Sequence, residues 1–538
     1  MNQSLGTVTL NLSTVQLVTH DAALQWLAYV PGISDEWKAL QSTSGSLAEL
    51  AHSAEATYGA SLAVTKLGDG LGVNSQAIKP FANSLARLNA NVASASRALD
   101  ALSFSKLKFG LSPIFQRARN EIHTVKHPLN QIVPLAQVAA VMLSDPATHR
   151  WFVANQNLAE TRGTGGLIGS YLVLETHNGN IRLIESGSDK DLALRFPIPR
   201  SAQSQAFISD WGIQRGLWID MNASGDVPTA AKTIATAWLD KQHEPLSGVL
   251  FIGQGTMAHL LSLIGGVKVD GHTLTYQNAG EYLAKTVYDD YPDYRNKDRF
   301  VQRFGRQLTK QLASGKPNLP NLWRSASSTQ SGDYPMVWAT SPSLENEIVR
   351  QGLGGSVGTR YGHTPRLVIN NAGGNKLDAY LRVHATYKLQ KCGYKTSNGL
   401  PGVRAQALVR LTNSAPSSVL PEYVWPALPT NARVRGKANS MHQLITLYAP
   451  VGSDDQSFSI NGKEEFVQFG FEKNRPKYSL RVAIGSGESR TLKFTWIEPL
   501  VDDFGKELKG NLDLTLPPTF NKPSVKIGHR ISCFLSKK

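Results

Sequence analysis

A chain of 538 residues exceeds what one hydrophobic core usually serves, roughly 250 to 300 residues, so two or three domains are expected. Its 41% hydrophobic and 18% charged residues exclude wholesale disorder. The 56 Lys and Arg against 41 Asp and Glu, a net charge of +15, favour a negatively charged partner, while the lack of a dense basic run interleaved with aromatics speaks against specific nucleic-acid recognition.

No stretch has eighteen or more uninterrupted apolar residues, and the first thirty lack a basic run followed by an apolar one, so the chain as given reads as soluble. Residues 1–145 read as an elongated helical bundle or stalk. Apolar residues recur at steps of three and four in three segments: Leu47, Leu50, Ala54, Tyr58, Leu62; then Phe81, Leu85, Leu88, Val92, Ala95, Leu99, Leu102; then Ala118, Ile122, Val125, Leu129, Ile132. Gly68 to Gly72 and Gly110 to Pro113 break the pattern, and Pro128 and Pro134 are expected to kink or segment the third helix. Many Ala and Ser beside the seam predict close helix approach with a thin apolar interior.

Residues 146–375 read as an α/β domain with a mixed or parallel sheet. Strands are expected near 148–155 and 167–174, with the run Glu160-Thr-Arg162-Gly163-Thr164-Gly165-Gly166 in the turn between them. Glycines let backbone N–H groups converge on an anion, and Arg162 supplies a planar fork for phosphate or carboxylate. The alternative is a tight β-turn in which Arg162 pairs with Glu160, or another acid, for structure alone. Neither the dinucleotide fingerprint nor a P-loop fits, because Ile168 replaces the third glycine and no Lys-Ser or Lys-Thr pair follows. A strand at 181–185 leads to Asp189 and Asp191 in a loop; a capped helix follows Asn222 to Asp226; strand 248–252, helix 256–263 and the strand after Gly265 form a βαβ unit. Downstream, Arg295, Arg299, Arg303 and Arg306 recur along one helical face beside an apolar face of Phe300, Phe304 and Leu308, just after Asp289 and Asp290.

The stretch Asn155 to Tyr171, followed by a strand and Asn178-Gly179, resembles the signature of an uncharacterised family of Gram-positive envelope proteins, the domain of unknown function 4012 family. That family is in turn similar to the LytR-CpsA-Psr phosphotransferases, which move glycan from a polyprenyl pyrophosphate carrier to an acceptor. The resemblance implies a LytR-CpsA-Psr-like α/β/α layered domain in an extracytoplasmic envelope protein, held at the membrane by an anchor not in this chain. It also implies a site where the signature turn and the arginine helix converge on a polyprenyl-phosphate lipid or anionic envelope glycan. In that reading Glu160, Arg162, Arg299 and Arg303 are catalytic, and Gly163, Thr164, Gly165, Gly166, Arg295 and Arg306 bind phosphate. Asp289 or Asp290 holds Mg2+. The rival is a non-catalytic envelope protein that binds acidic glycan, lipid or a partner complex through the same basic surface, and oligomers fit either reading.

From 376 to 538 the pattern turns to alternating strands near 380–387, 404–411, 442–447, 456–460, 478–484 and 491–496, read as an immunoglobulin-like β-sandwich. Cys392 and Cys533, the two cysteines, suit either one bridge in an exported domain or two unpaired buried thiols. Tyr423 and Trp425 are candidate contacts for glycan or protein.

Overall fold

The computed structural model describes residues 2–64, 71–108, 110–193, 218–314, 335–358, 364–418, 420–421, 424–425, 438–501, 505–508, 512–529 and 533. The architecture is mixed α+β: helices first, then a layered sheet, then a strand-rich region. Four helices open the chain, α1 (Asn2–His20), α2 (Ser34–Val64), α3 (Ile78–Asp100) and α4 (Leu111–Ser144), each packed on the next. Leu85, Val92, Ala95 and Leu99 of α3 meet Phe115, Ile122, Leu129 and Val133 of α4, which is the expected seam. On α2 the buried face is small and polar, with Ala39, Thr43, Ser44, Ala48, Ala51 and Thr57 inside, while Leu62 stands 61% exposed, outside the seam expected of it. Periodicity misses α1 because Thr and Ser are spread around all its faces. The expected segmentation at Pro128 and Pro134 does not occur: both lie inside α4, which Leu129 and Val133 hold in the core. Gly110, in the left-handed region at φ 77°, starts α4 as expected; the other break includes residues 65–70, outside those described.

The central sheet has the order β1-β4-β3-β2-β5-β8, from β1 (Leu71–Gly72), β2 (His149–Arg162), β3 (Gly165–His177), β4 (Asn180–Ser188), β5 (Gly248–Ile252) and β8 (Met336–Ala339). The sheet is mixed: β2 runs parallel to β5, and the other pairs are antiparallel. Alternate residues of β2 face opposite sides. Phe152 and Ala154 pack with Ala230, Ile234 and Trp238 of helix α6 (Val227–Gln242). Trp151 packs with Val138 of α4 and with Leu344 and Ile348 of helix α9 (Pro342–Arg350). Both faces are therefore covered, which explains the unbroken apolar run at 151–154.

Two expectations fail here. Asp189 and Asp191 begin the short helix α5 (Asp189–Ala193) rather than a loop, and the Asp191 carboxylate accepts from Ser188 N (2.7 Å) and Ser188 Oγ (2.9 Å). The βαβ unit is also absent. After β5 and helix α7 (Gln254–Ile264), β6 (Val267–Val269) pairs with β7 (His272–Leu274) as a separate two-stranded hairpin. Asp270 and Gly271, at φ 48° and 81°, make the tight turn that two-residue hairpins favour, so β6 is spent before it can reach the main sheet.

The strand-rich region forms two sheets. One has the order β14-β13-β17-β11-β10-β18 and the other β15-β16-β12-β9, from β9 (Arg366–Asn371), β10 (Leu381–Lys395), β11 (Pro401–Asn413), β12 (Met441–Tyr448), β13 (Asp454–Ile460), β14 (Lys463–Glu464), β15 (Gln468–Glu472), β16 (Arg475–Ile484), β17 (Ser489–Pro499) and β18 (Ser524–Ile527). All six expected strands are present. The boundary expected at 375 would cut β9 from β12, its partner along six residue pairs; Arg366–Asn371 belongs to the C-terminal sheet, and one core runs from Val153 and Leu261 through Ile369 to Trp496. Cys392 and Cys533 form a disulfide, tying β10 to the segment after β18, which pairs with β10 in parallel. Trp425 packs against the core, and Tyr423 lies outside the described residues.

Inside this core the Glu498 carboxyl accepts from Tyr387 Oη at 2.8 Å and from Trp496 Nε1 at 2.9 Å. Burial pushes it up to about 7 from the ordinary 4.5, with the two donors offsetting only part. A folded value above the unfolded one means that this stabilisation is fully present below the unfolded value and is lost as pH rises through the folded one, a change of about 3 kcal/mol. Glu498→Gln is expected to flatten that slope. Urea unfolding of both proteins across this range checks it, and identical slopes would refute it.

Candidate functional site

The signature residues lie at the tip of the β2–β3 hairpin. Strand period 2 puts Glu160 and Arg162 on one side, and Gly163 and Thr164 form a two-residue turn between Arg162 and its register partner Gly165. The ladder slips between Asn157 and Thr161, so Leu158 to Glu160 bulge out of register. Neighbours fix the bulge: Asn157 Oδ1 accepts from Ala159 N (2.9 Å) and Gln254 Nε2 (3.0 Å), and Gln254 Oε1 accepts from Leu158 N (3.0 Å).

Glu160 and Arg162 are buried, at 4% and 3% exposure. Arg162 Nη2 donates to Glu160 Oε1 at 3.0 Å and lies 3.5 Å from Asp220, while Nη1 donates to Asn371 O at 3.3 Å. The other Glu160 oxygen takes Lys376 Nζ. Burial acts to raise the Glu160 carboxyl, but the charges of Lys376 and then Arg162 outweigh it and hold it below the usual carboxylate range. Asp220 shifts the opposite way, raised by burial against a longer contact with the same guanidinium and by the negative charge of Glu160. Thr161, facing away, donates from N (2.8 Å) and Oγ1 (2.6 Å) to Asp378, a fully buried carboxyl that burial raises and Gln443 also binds. The turn is thus clamped to the segment 371–378, two hundred residues downstream.

Gly163, Thr164, Gly165 and Gly166 are all buried. Their missing side chains leave room for other backbone. A Cβ on Gly163 would come closer than 3.0 Å to the carbonyl oxygens of Ala223 and Ser224, and one on Gly166 closer than 3.0 Å to Asn157 O. Thr164 N donates to Asn222 O (3.2 Å), and Thr164 Oγ1 accepts from Gln156 Nε2 (2.6 Å) and Asn222 Nδ2 (2.9 Å). The space that the sequence reading assigns to an anion holds the 222–224 backbone. Of the two readings of the turn, the geometry is that of Arg162 paired with Glu160.

The arginine helix is α8 (Tyr294–Ser314). Phe300, Phe304 and Leu308 are buried against Leu261 and Val267, the apolar face as expected. Arg295, Arg299 and Arg306 are exposed. Arg303 is half-buried and donates from Nε to Asp270 Oδ1 at 2.9 Å, with Nη2 on the other oxygen; that hydrogen bond, outweighing a small desolvation, holds Asp270 below the usual carboxylate range. Asp289 and Asp290 are exposed. Asp290 accepts from Tyr282 Oη (2.8 Å) and faces His272 at 3.7 Å. Among the described residues, no group of three or more His, Cys, Asp or Glu is placed to hold a metal ion. The signature strand and the segment before α8 do meet, where Asn157 Nδ2 donates to Tyr288 Oη at 2.8 Å. Arg162 and Arg303, however, sit in separate ion-pair clusters, one buried and one at the surface.

Sequence reasoning misses Lys376, Asp220, Asp378 and Asn222, which complete the buried cluster. The one local sign is the run Asn370-Asn-Ala-Gly-Gly-Asn-Lys-Leu-Asp378, polar and glycine-rich where a core strand ends.

No curated protein matches this chain. Among solved structures it is similar to a transcriptional regulator from Enterococcus faecalis (10% identity, 39% of this chain and 72% of that one, TM-score 0.21). It is also similar to the Lin1025 protein of Listeria innocua (12% identity, 39% and 79%, TM-score 0.20). A Legionella pneumophila structure matches at 7% identity over 26% of this chain and 44% of that one, with TM-score 0.17; this chain spans under half its length, and scores so low carry no argument about fold. No helix among the described residues is long and apolar enough to cross a membrane. Residues 147–288, from the bend just before β2 to Tyr288, match the model of the family described as "Protein of unknown function (DUF4012)".

Proposed function

We propose that this chain is a non-catalytic protein of the cell envelope that binds an acidic glycan through the exposed arginine face of α8. One observation carries the reading: Arg162 and Glu160 are used up in a buried ion pair, whereas Arg299 and Arg306 stand exposed on the helix that Phe300 and Phe304 anchor. Exposed guanidinium groups with a net charge of +15 behind them attract and orient polyanions. An oxidising compartment is supported by the Cys392–Cys533 bridge, since such bridges persist mainly outside the cytosol. The same reading takes the layered domain as LytR-CpsA-Psr-like and the two C-terminal sheets as immunoglobulin-like, supported by the mixed sheet with helices on both faces and by the core that the two sheets share. In this reading the fold is a phosphotransferase relative's, and its signature turn works as a structural clamp.

Charge reversal on the helix tests it. Arg299→Glu with Arg306→Glu is expected to weaken binding of an acidic glycan such as polygalacturonate about tenfold at low ionic strength, with the difference fading as salt rises toward 1 M, where screening acts over ~3 Å. Calorimetric titration at several salt concentrations reads this. Unchanged affinity, or an equal loss with Arg162→Ala in a protein that still folds, contradicts the proposal.

A further inference from the structure

We infer that the opening between the β13–β14 hairpin and β15–β16 is a second binding site, for a neutral sugar ring of an oligosaccharide. This inference is independent of the arginine face. A cavity of about 360 Å3 lies here, at the lower end of the range for small-molecule sites and with room for a mono- or disaccharide. Its walls are aromatic. Phe458 and Phe494 pack at 4.8 Å between centroids, Phe469 and Tyr478 at 5.4 Å, and Trp496 is oriented by its bond to Glu498. At the mouth Phe466 is 92% exposed and Phe469 53%, a cost in water that a covering ligand removes.

Three features choose a sugar over other guests. Tyr478, only 3% exposed, lines the cavity, and among the described residues its buried hydroxyl has no hydrogen-bond partner. Such a group is costly unless something supplies one. The lining holds Glu464 and Glu465 and neither Lys nor Arg, so the acidic polymer proposed for α8 is repelled here even though Lys463 lies 3.8 Å from Glu465. Gln456 and the hydrogen-bonded pair of Ser457 and Thr495 hydroxyls make part of the wall polar, which an acyl chain would strip of water without offering a hydrogen bond in return. Flat aromatic faces for the C–H side of a pyranose, with carboxylate, amide and hydroxyl groups for its O–H side, match a neutral saccharide on both counts.

The test is saturation-transfer NMR of the whole protein with cellobiose, maltose and N,N′-diacetylchitobiose, and with 1-octanol as the uncharged alkyl-chain comparison. At least one disaccharide is expected to receive saturation. Phe466→Ala with Phe469→Ala, two exposed positions whose loss does not threaten folding, should abolish it, and Tyr478→Phe should weaken it about threefold to tenfold. No transfer to any of the three sugars, transfer that survives the double substitution, or preferential binding of 1-octanol overturns the inference.

Discussion

Arg162→Ala lowers the free energy of unfolding by about 3–5 kcal/mol, whereas Arg299→Ala changes it by less than about 0.5 kcal/mol. The asymmetry follows from where the two guanidinium groups sit. Arg162 is 3% exposed and bridges Glu160 and Asp220; its loss leaves two buried carboxyls, of which Glu160 keeps its contact with Lys376. One answer open to the cluster is to take up a proton, so the Arg162→Ala protein should be most damaged at high pH, where both carboxyls must ionise. The intact protein behaves oppositely in acid. Because Glu160 is held below its ordinary value, its contribution is present above the unfolded pKa and is lost as pH falls through the folded one. Arg299 touches water, and its removal costs nothing that water cannot replace. Chemical denaturation of the two variants at neutral pH reads the contrast, and equal, small effects would mean that the ion pair does not carry the hairpin.

Gly163→Ala and Gly166→Ala are each expected to prevent accumulation of folded protein, while Gly169→Ala, seven residues into the same hairpin from Arg162, is nearly neutral. The first two would drive a methyl group into the backbone of Ala223–Ser224 and of Asn157 respectively, and backbone held in a packed core cannot step aside as a flexible side chain can. At Gly169 the nearest atom is Leu167 Cδ2 at 3.8 Å, ordinary contact. Soluble yield and thermal unfolding of the three variants check this. A folded, stable Gly163→Ala protein would show that the turn is not held against the 222–224 segment.

These glycines show where sequence reasoning stops. Period 2 alone puts Glu160 beside Arg162, the steps of four and three along α8 separate Phe300, Phe304 and Leu308 from the arginines, and the alternating strands after 376 are all found. What no local pattern reports is which distant segment fills a space. A glycine that admits an anion and one that admits another backbone are the same residue in sequence, and here residues 222–224 decide. The same holds for Lys376 and Asp378, over two hundred residues from the acid and threonine they bind, and for β9, whose six residues carry no mark of the sheet they join. Short apolar runs mislead similarly: Val267–Val269 reads as the second strand of a βαβ unit until the Asp270–Gly271 turn spends it in a hairpin.

The account rests on the signature hairpin being a clamp rather than a catalyst, and incubation of the whole protein with a polyprenyl pyrophosphate, with and without magnesium, tests that most directly. It predicts that no phosphate is released under either condition, and that Arg162→Ala alters stability alone. Magnesium-dependent release of phosphate that disappears in Arg162→Ala and Arg299→Ala proteins, each shown to be folded, would contradict it.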